Sequence, residues 1–198
     1  LGTGSQANIK VWGMASSPAS LTLVASKNTQ FSKEILFRHA SPKNPDGDPL
    51  TGVTAMLIPT SANVGVSATL DTSNMMRVLS PGVETGVILN VSASLDCDEV
   101  ATYDIVFSSD QGATCKTKVT LNLRPATPIP VTDLKTITVG VNPEGNVSRV
   151  VTVTNKGKGY LDGLKVTLPE NIPWVSVNSI ARTRLAPNES TTFVINFA

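Results

Sequence analysis

Apolar and polar residues alternate singly along most of the chain or gather into short apolar runs, and neither pattern outlasts a β-strand. Successive side chains of a strand point to opposite faces, so this period of two predicts half-buried strands. The pattern occurs at Asn8–Trp12, Ser20–Ala25, Glu34–Arg38, Val53–Ile58, Val64–Leu70, Val83–Ala93, Tyr103–Ser108 and Lys116–Leu123. It returns at Thr136–Val141, Ser148–Thr154, Leu164–Leu168, Trp174–Val177 and Ser190–Phe197. Gly, Pro, Asn and Asp clusters separate these segments, and no window carries the period and caps of an amphipathic helix. The prediction is an all-β protein.

The strand plan is used twice. Residues 21–37 align without gaps on 137–153, Leu50-Thr51-Gly52-Val53 on Leu161-Asp162-Gly163-Leu164, and 79–92 on 185–198. A shared order of strands and turns implies one fold repeated. Between the copies, Arg124-Pro125-Ala126-Thr127-Pro128-Ile129-Pro130 reads as a semi-rigid linker. We therefore expect an N-terminal extended segment at 1–17, a first module at 18–124, a linker at 125–131 and a second module at 132–198. The second module has no counterpart of residues 93–123, and so is expected to lack the last hairpin and to leave a sheet edge and a core face open. Leu1 is not an initiator methionine, which is read as a processed N-terminus or a fragment.

Composition agrees with strands and removes several function classes. Only 16% of residues are charged, while 42 are Ser or Thr and 23 are Val, a balance that suits pleated half-buried surfaces. The net charge of +1 gives no basic stripe for phosphates, so no nucleic-acid partner is expected. The apolar runs are too short to span a membrane as helices.

Residues 151–197, from Val151-Thr152-Val153-Thr154-Asn155 through Leu185-Ala186-Pro187-Asn188-Glu189 to Phe197, resemble the NEW3-type, Hydin-type and pilus-chaperone-like immunoglobulin-like modules of surface and secreted proteins. The resemblance implies two tandem immunoglobulin-like β-sandwich domains. It makes Val151–Asn155 a strand ending in a turn, Leu164–Pro169 the next strand, and Leu185–Glu189 a tight turn before a long strand. The first module matches through Leu79-Ser80-Pro81-Gly82 and Ala101–Ile105, and departs at Asn44-Pro45-Asp46-Gly47-Asp48, an insertion relative to Lys156-Gly157-Lys158-Gly159. Such motifs specify fold and leave function open.

Candidate chemistry is sparse. Asp46 and Asp48 could offer oxygens to Ca²⁺, but the stretch reads first as a Pro/Gly/Asp turn between strands. His39 is the only histidine and aligns with Asn155, which points to a polar role at a strand end and to little cost for His39→Ala. With a single histidine no histidine-rich metal set can form, and no partners at a recognisable catalytic spacing accompany His39. Cys97 and Cys115 suggest a disulfide by their even count, but a hairpin over 101–123 would set them some 20 Å apart, well beyond bridging distance. Asn90, Asn146 and Asn188 lie in N-x-S sequons that permit glycosylation. Trp12 and Trp174 are read as core residues or, alternatively, as platforms for sugars.

These readings lead to a non-enzymatic structural subunit or repeat module of an extracellular fibre or surface appendage, without a cofactor. Its expected partners are further copies of itself or neighbouring immunoglobulin-like modules, with glycans as another option. The N-terminal segment, with Ile9 and Val11 on one face, is the candidate donor strand for a neighbour's second module. The alternative is an accessory, spacer or sugar-binding module of a larger secreted enzyme or adhesin.

Overall fold

A computed structural model describes residues 8–140, 142 and 145–198. The chain divides into two compact units between Arg124 and Pro125. The fold is all-β, and the described residues contain no helix.

The first unit holds β1 (Met14–Ser17), β2 (Ser20–Ser26), β3 (Thr29–His39), β4 (Thr54–Pro59), β5 (Val66–Asp71), β6 (Glu84–Ala93), β7 (Val100–Ser108) and β8 (Thr114–Arg124). They form two four-stranded sheets, in the orders β1-β3-β6-β5 and β2-β8-β7-β4. All pairs are antiparallel except β2 with β8. The first edge strand thus changes sheets, at the cis Ser17–Pro18 bond, which gives an immunoglobulin-like sandwich.

Alternation decides what fills the space between the sheets. Ile35 and Phe37 of β3, Val87, Leu89 and Val91 of β6, Tyr103, Ile105 and Phe107 of β7, and Val119 and Leu121 of β8 all point inward and are buried. Phe37 stacks on Phe107 across the sandwich with ring centroids 4.0 Å apart. Each such side chain contributes roughly 1.5–3 kcal/mol of burial. At the sandwich end, Leu50 and Leu79 exchange main-chain hydrogen bonds of 2.8 and 2.9 Å.

The second unit holds β9 (Pro130–Thr132), β10 (Val147–Asn155), β11 (Val175–Val177) and β12 (Ser190–Phe197), in one sheet of order β9-β10-β12-β11. This matches the β1-β3-β6-β5 sheet strand for strand. Pro130 pairs with Asn155 as Met14 pairs with His39, at the offset that aligns 21–37 on 137–153. Leu161 and Leu185 exchange hydrogen bonds of 2.9 Å, as Leu50 and Leu79 do. Gly52 and Gly163, and Gly82 and Asn188, take the same positive φ at corresponding turns.

Three expectations change. The first strand is Met14–Ser17, and the Asn8–Trp12 segment makes only a bridge from Val11 to Lys43. The Pro-rich stretch belongs to the second unit: Lys156 N–H donates to Ile129 O at 2.7 Å, and Lys158 N–H to Thr127 O at 3.0 Å. Gly159 permits this approach, because a Cβ there would lie 1.7 Å from Ala126 O. Pro130 opens an edge strand, a place proline tolerates. Finally, 136–140 and 164–168 are not strands, since the strands that would pair with them have no counterpart among the described residues. Val141 lies outside those residues.

Candidate functional site

In the first unit the β2-β8-β7-β4 sheet covers the inner face of β3 and β6. In the second unit no second sheet lies over that face among the described residues, and the segments carrying Ile137, Leu164, Val166 and Ile180 pack on it instead. Val151, Val153 and Phe193 are buried there, and Ile137, Leu164, Val166, Val177, Ile180 and Ile195 pack around them while remaining partly exposed. The comparison with aligned positions is direct. Leu89 is 0% exposed while Ile195 is only partly buried, and Val53 is 0% exposed while Leu164 is only partly buried. A depression of about 290 Å³ opens between Leu164, Val166, Val177, Asn178, Ile180 and Thr183.

Two flanking segments keep the shape of strands. Residues 136–140 alternate exposed and partly buried positions in the same order as Ser20–Val24 of β2. Residues 164–168 alternate like 53–57, and Leu164 N–H donates to Thr183 O at 2.9 Å as Val53 N–H donates to Arg77 O at 3.1 Å. Trp174, expected in the core, is 53% exposed. Its ring lies 6.4 Å from that of Phe197, an inward residue of β12.

Asn155 anchors this unit. It is fully buried, and its Nδ2 donates to Gly159 O at 2.7 Å and Leu185 O at 3.0 Å. Its Oδ1 accepts from Ile129 N–H at 3.1 Å and Gly157 N–H at 3.0 Å. His39 occupies the aligned place. It is 1% exposed, Nδ1 accepts from Ser41 N–H at 3.3 Å, and Nε2 lies 3.2 Å from Asp48 O. Both ring nitrogens face main-chain groups, so His39 holds a turn.

Asp46 and Asp48 do converge, but on Lys10: its Nζ lies 2.8 Å from Asp46 and contacts Asp48 as well. The hydrogen bonds to Asp46 and then Asp48 push the Lys10 pKa up. Both carboxylates are thus paired with the Lys10 ammonium. Among the described residues no group of three or more His, Cys, Asp or Glu side chains is arranged for a metal.

The segment carrying Ile9 and Val11 lies against its own unit. Both side chains are exposed, at 58% and 43%, but Val11 and Lys43 exchange main-chain hydrogen bonds of 2.8 and 3.5 Å. Leu1–Ala7, the rest of the candidate donor, lie outside the described residues. Cys97 and Cys115 are free thiols. Cys115 sits opposite Phe107 near the hairpin turn, and Cys97 precedes the first strand of that hairpin, so the strand length separates them. Burial pushes the Cys115 thiol up to about 11 and raises that of Cys97. Of the sequons, Asn146 and Asn188 are exposed, while the Asn90 carboxamide accepts a 2.6 Å hydrogen bond from Ser32 in mid-sheet. No helix among the described residues is long and apolar enough to cross a membrane.

No family model matches the chain, and no curated protein matches it significantly. Among solved structures, the secreted serine protease VesC of Vibrio cholerae is 11% identical with a TM-score of 0.42, over 93% of this chain and 46% of that one. A family 123 glycoside hydrolase of Clostridium perfringens is 9% identical with a TM-score of 0.37, over 53% of this chain and 22% of that one. The CupB2 chaperone of Pseudomonas aeruginosa is 14% identical with a TM-score of 0.28, over 90% of this chain and 87% of that one. The chain therefore spans less than half the length of the first two. At this similarity the neighbours carry no functional argument, and the immunoglobulin-like description rests on strand order and register.

Proposed function

We propose that the protein is a non-enzymatic structural module of an extracellular or cell-surface assembly, and that it associates with other polypeptide through the open sheet face of its second unit. The observation that carries the reading is the half-sandwich itself. Leu164 and Ile195, aligned with the fully buried Val53 and Leu89, stay partly exposed beside Val166 and Ile180, and apolar surface of that kind is characteristic of interaction sites. The engagement of His39 by main-chain groups and of Asp46 and Asp48 by Lys10 supports a non-catalytic role. The likeness to NEW3-type, Hydin-type and pilus-chaperone-like modules belongs to the same reading, as does assembly into a fibre.

Sedimentation velocity over a concentration series, with negative-stain microscopy, tests it. The intact chain is expected to associate, and Val166→Asp with Ile180→Asp, both outside strands, to suppress association while leaving the first unit's unfolding unchanged. A chain that stays monomeric, or whose association ignores the two charges, refutes the reading. So does a defined enzymatic activity.

A further inference from the structure

On the outer face of the first unit, β3, β6 and β5 turn Gln30 and Ser32, Asn90 and Ser92, and Ser67 and Thr69 away from the opposite sheet, because the residues between them, Phe31, Val91 and Ala68, pack on the core. The strand register sets these side chains in two rows, Gln30 with Ser92 and Ser67, and Ser32 with Asn90 and Thr69. All six line a depression of about 380 Å³, whose other lining residues, Phe31 and Val91, belong to the core. The six are polar and uncharged. Ser32 Oγ donates to Asn90 Oδ1 at 2.6 Å, which fixes the carboxamide oxygen toward β3 and leaves Nδ2 without a partner among the described residues. The second unit repeats the pair: Ser148 Oγ donates to Asn196 Oδ1 at 2.7 Å, and these two align with Ser32 and Asn90. Ser176 pairs with Asn196 as Thr69 pairs with Asn90. There the carboxamide nitrogen is used, donating to Asn178 Oδ1 at 3.3 Å. The pair thus belongs to the duplicated plan, and the first unit differs in leaving its oriented donor without a partner among the described residues.

We infer that this depression binds a neutral glycan, held by hydrogen bonds to Asn90, Gln30 and the four hydroxyls around them. A hydroxyl both donates and accepts, and a carboxamide offers each function at a fixed place, so the array complements a ligand that presents closely spaced hydroxyls of its own. An anionic ligand meets no cation among the six polar side chains, and the next row of the face adds the carboxylates of Glu34 and Asp71 on either side of Ile88. An apolar ligand would desolvate the six polar groups and leave them unpaired. The contacts are hydrogen bonds, so a Kd of about 1 mM is expected for a short oligomer. The site belongs to the first unit and is independent of the association proposed for the second.

The test is an amide-resolved NMR titration of the intact chain with cellohexaose, maltohexaose and chitohexaose, and with hexagalacturonate as the charged counterpart. At least one neutral oligomer is expected to shift the amides of 30–32, 67–69 and 90–92 saturably, and the charged one to leave them in place. Asn90→Asp keeps the acceptor for Ser32 but loses the Nδ2 donor, and is expected to weaken binding ~10-fold or more while the remaining amides of β3 and β6 keep their positions. Thr69→Val, on the edge strand β5, keeps the shape and removes one hydroxyl; it is expected to weaken binding ~3-fold or more, and it decides the matter where Asn90→Asp disturbs the sheet. Unmoved amides in all three neutral titrations overturn the inference. So do shifts that both substitutions leave at full affinity, since the pair then serves the sheet alone. Tighter binding of hexagalacturonate overturns the neutral class, and shifts confined to the surroundings of Trp174 put the sugar elsewhere and overturn the site.

Discussion

Replacing Asn155 by alanine removes four hydrogen bonds, of 2.7 to 3.1 Å, from a position with no solvent access. A hydrogen bond is worth roughly 1 kcal/mol net, and buried partners left unpaired cost more, so the substitution should cost about 3–4 kcal/mol. Domains are stable by only about 5–15 kcal/mol, and the second unit, with a single sheet and few fully buried side chains, belongs at the low end. The loss is therefore a large share of its stability. It should appear first where Asn155 ties Ile129 and Gly157 together, in 126–132 and the end of β10. Hydrogen exchange read by unit is the assay, with β3 and β6 as internal standards. About 3 kcal/mol corresponds to roughly 100-fold faster exchange at Thr152–Asn155 where opening controls it. Asn155→Asp keeps an acceptor but loses both donors and buries a charge, so it should be at least as damaging. A change below ~3-fold with the sheet intact would show that Asn155 is not the anchor.

Phe107→Ala breaks the stack on Phe37 and opens a cavity, so urea unfolding should show the first unit losing ~3–5 kcal/mol; a loss under ~1 kcal/mol would contradict the packing. His39→Ala should cost about 1–3 kcal/mol, more than its sequence context implies, because it leaves a buried turn without partners; an unchanged melting temperature would sink this. Glu189 accepts from Ala186 N–H and pairs with Arg182, both of which lower its pKa. The stabilisation is thus present above the ordinary glutamate value and lost as pH falls through the folded one. The second unit should melt lower at acid pH, with a flatter profile for Glu189→Gln, and equal slopes would count against it. With its thiol at about 11, Cys115 should resist alkylation near neutral pH and react faster as pH rises; rapid labelling at neutral pH would contradict its burial.

Strand positions in the first unit were legible because alternation and burial agree there. Ile35, Val53, Leu89, Tyr103 and Val119, all inside the segments that alternate, are buried. Composition misled at 125–131, where proline suggested a linker but hydrogen bonds to Lys156 and Lys158 join the segment to a sheet. Trp174 misled for a related reason: its local pattern is that of a core residue, but exposure depends on what lies opposite.

The sequence by itself determined the period of two, the turns and the duplicated plan, since each follows from local side-chain and backbone preferences. Tertiary structure decided which segments become strands. Residues 136–140 and 164–168 alternate like their counterparts and remain outside any sheet, because a strand exists only through hydrogen bonds to a neighbour. It likewise decided that Lys10 meets Asp46 and Asp48 and that Asn155 meets four main-chain groups, contacts between residues distant in sequence that no local pattern encodes.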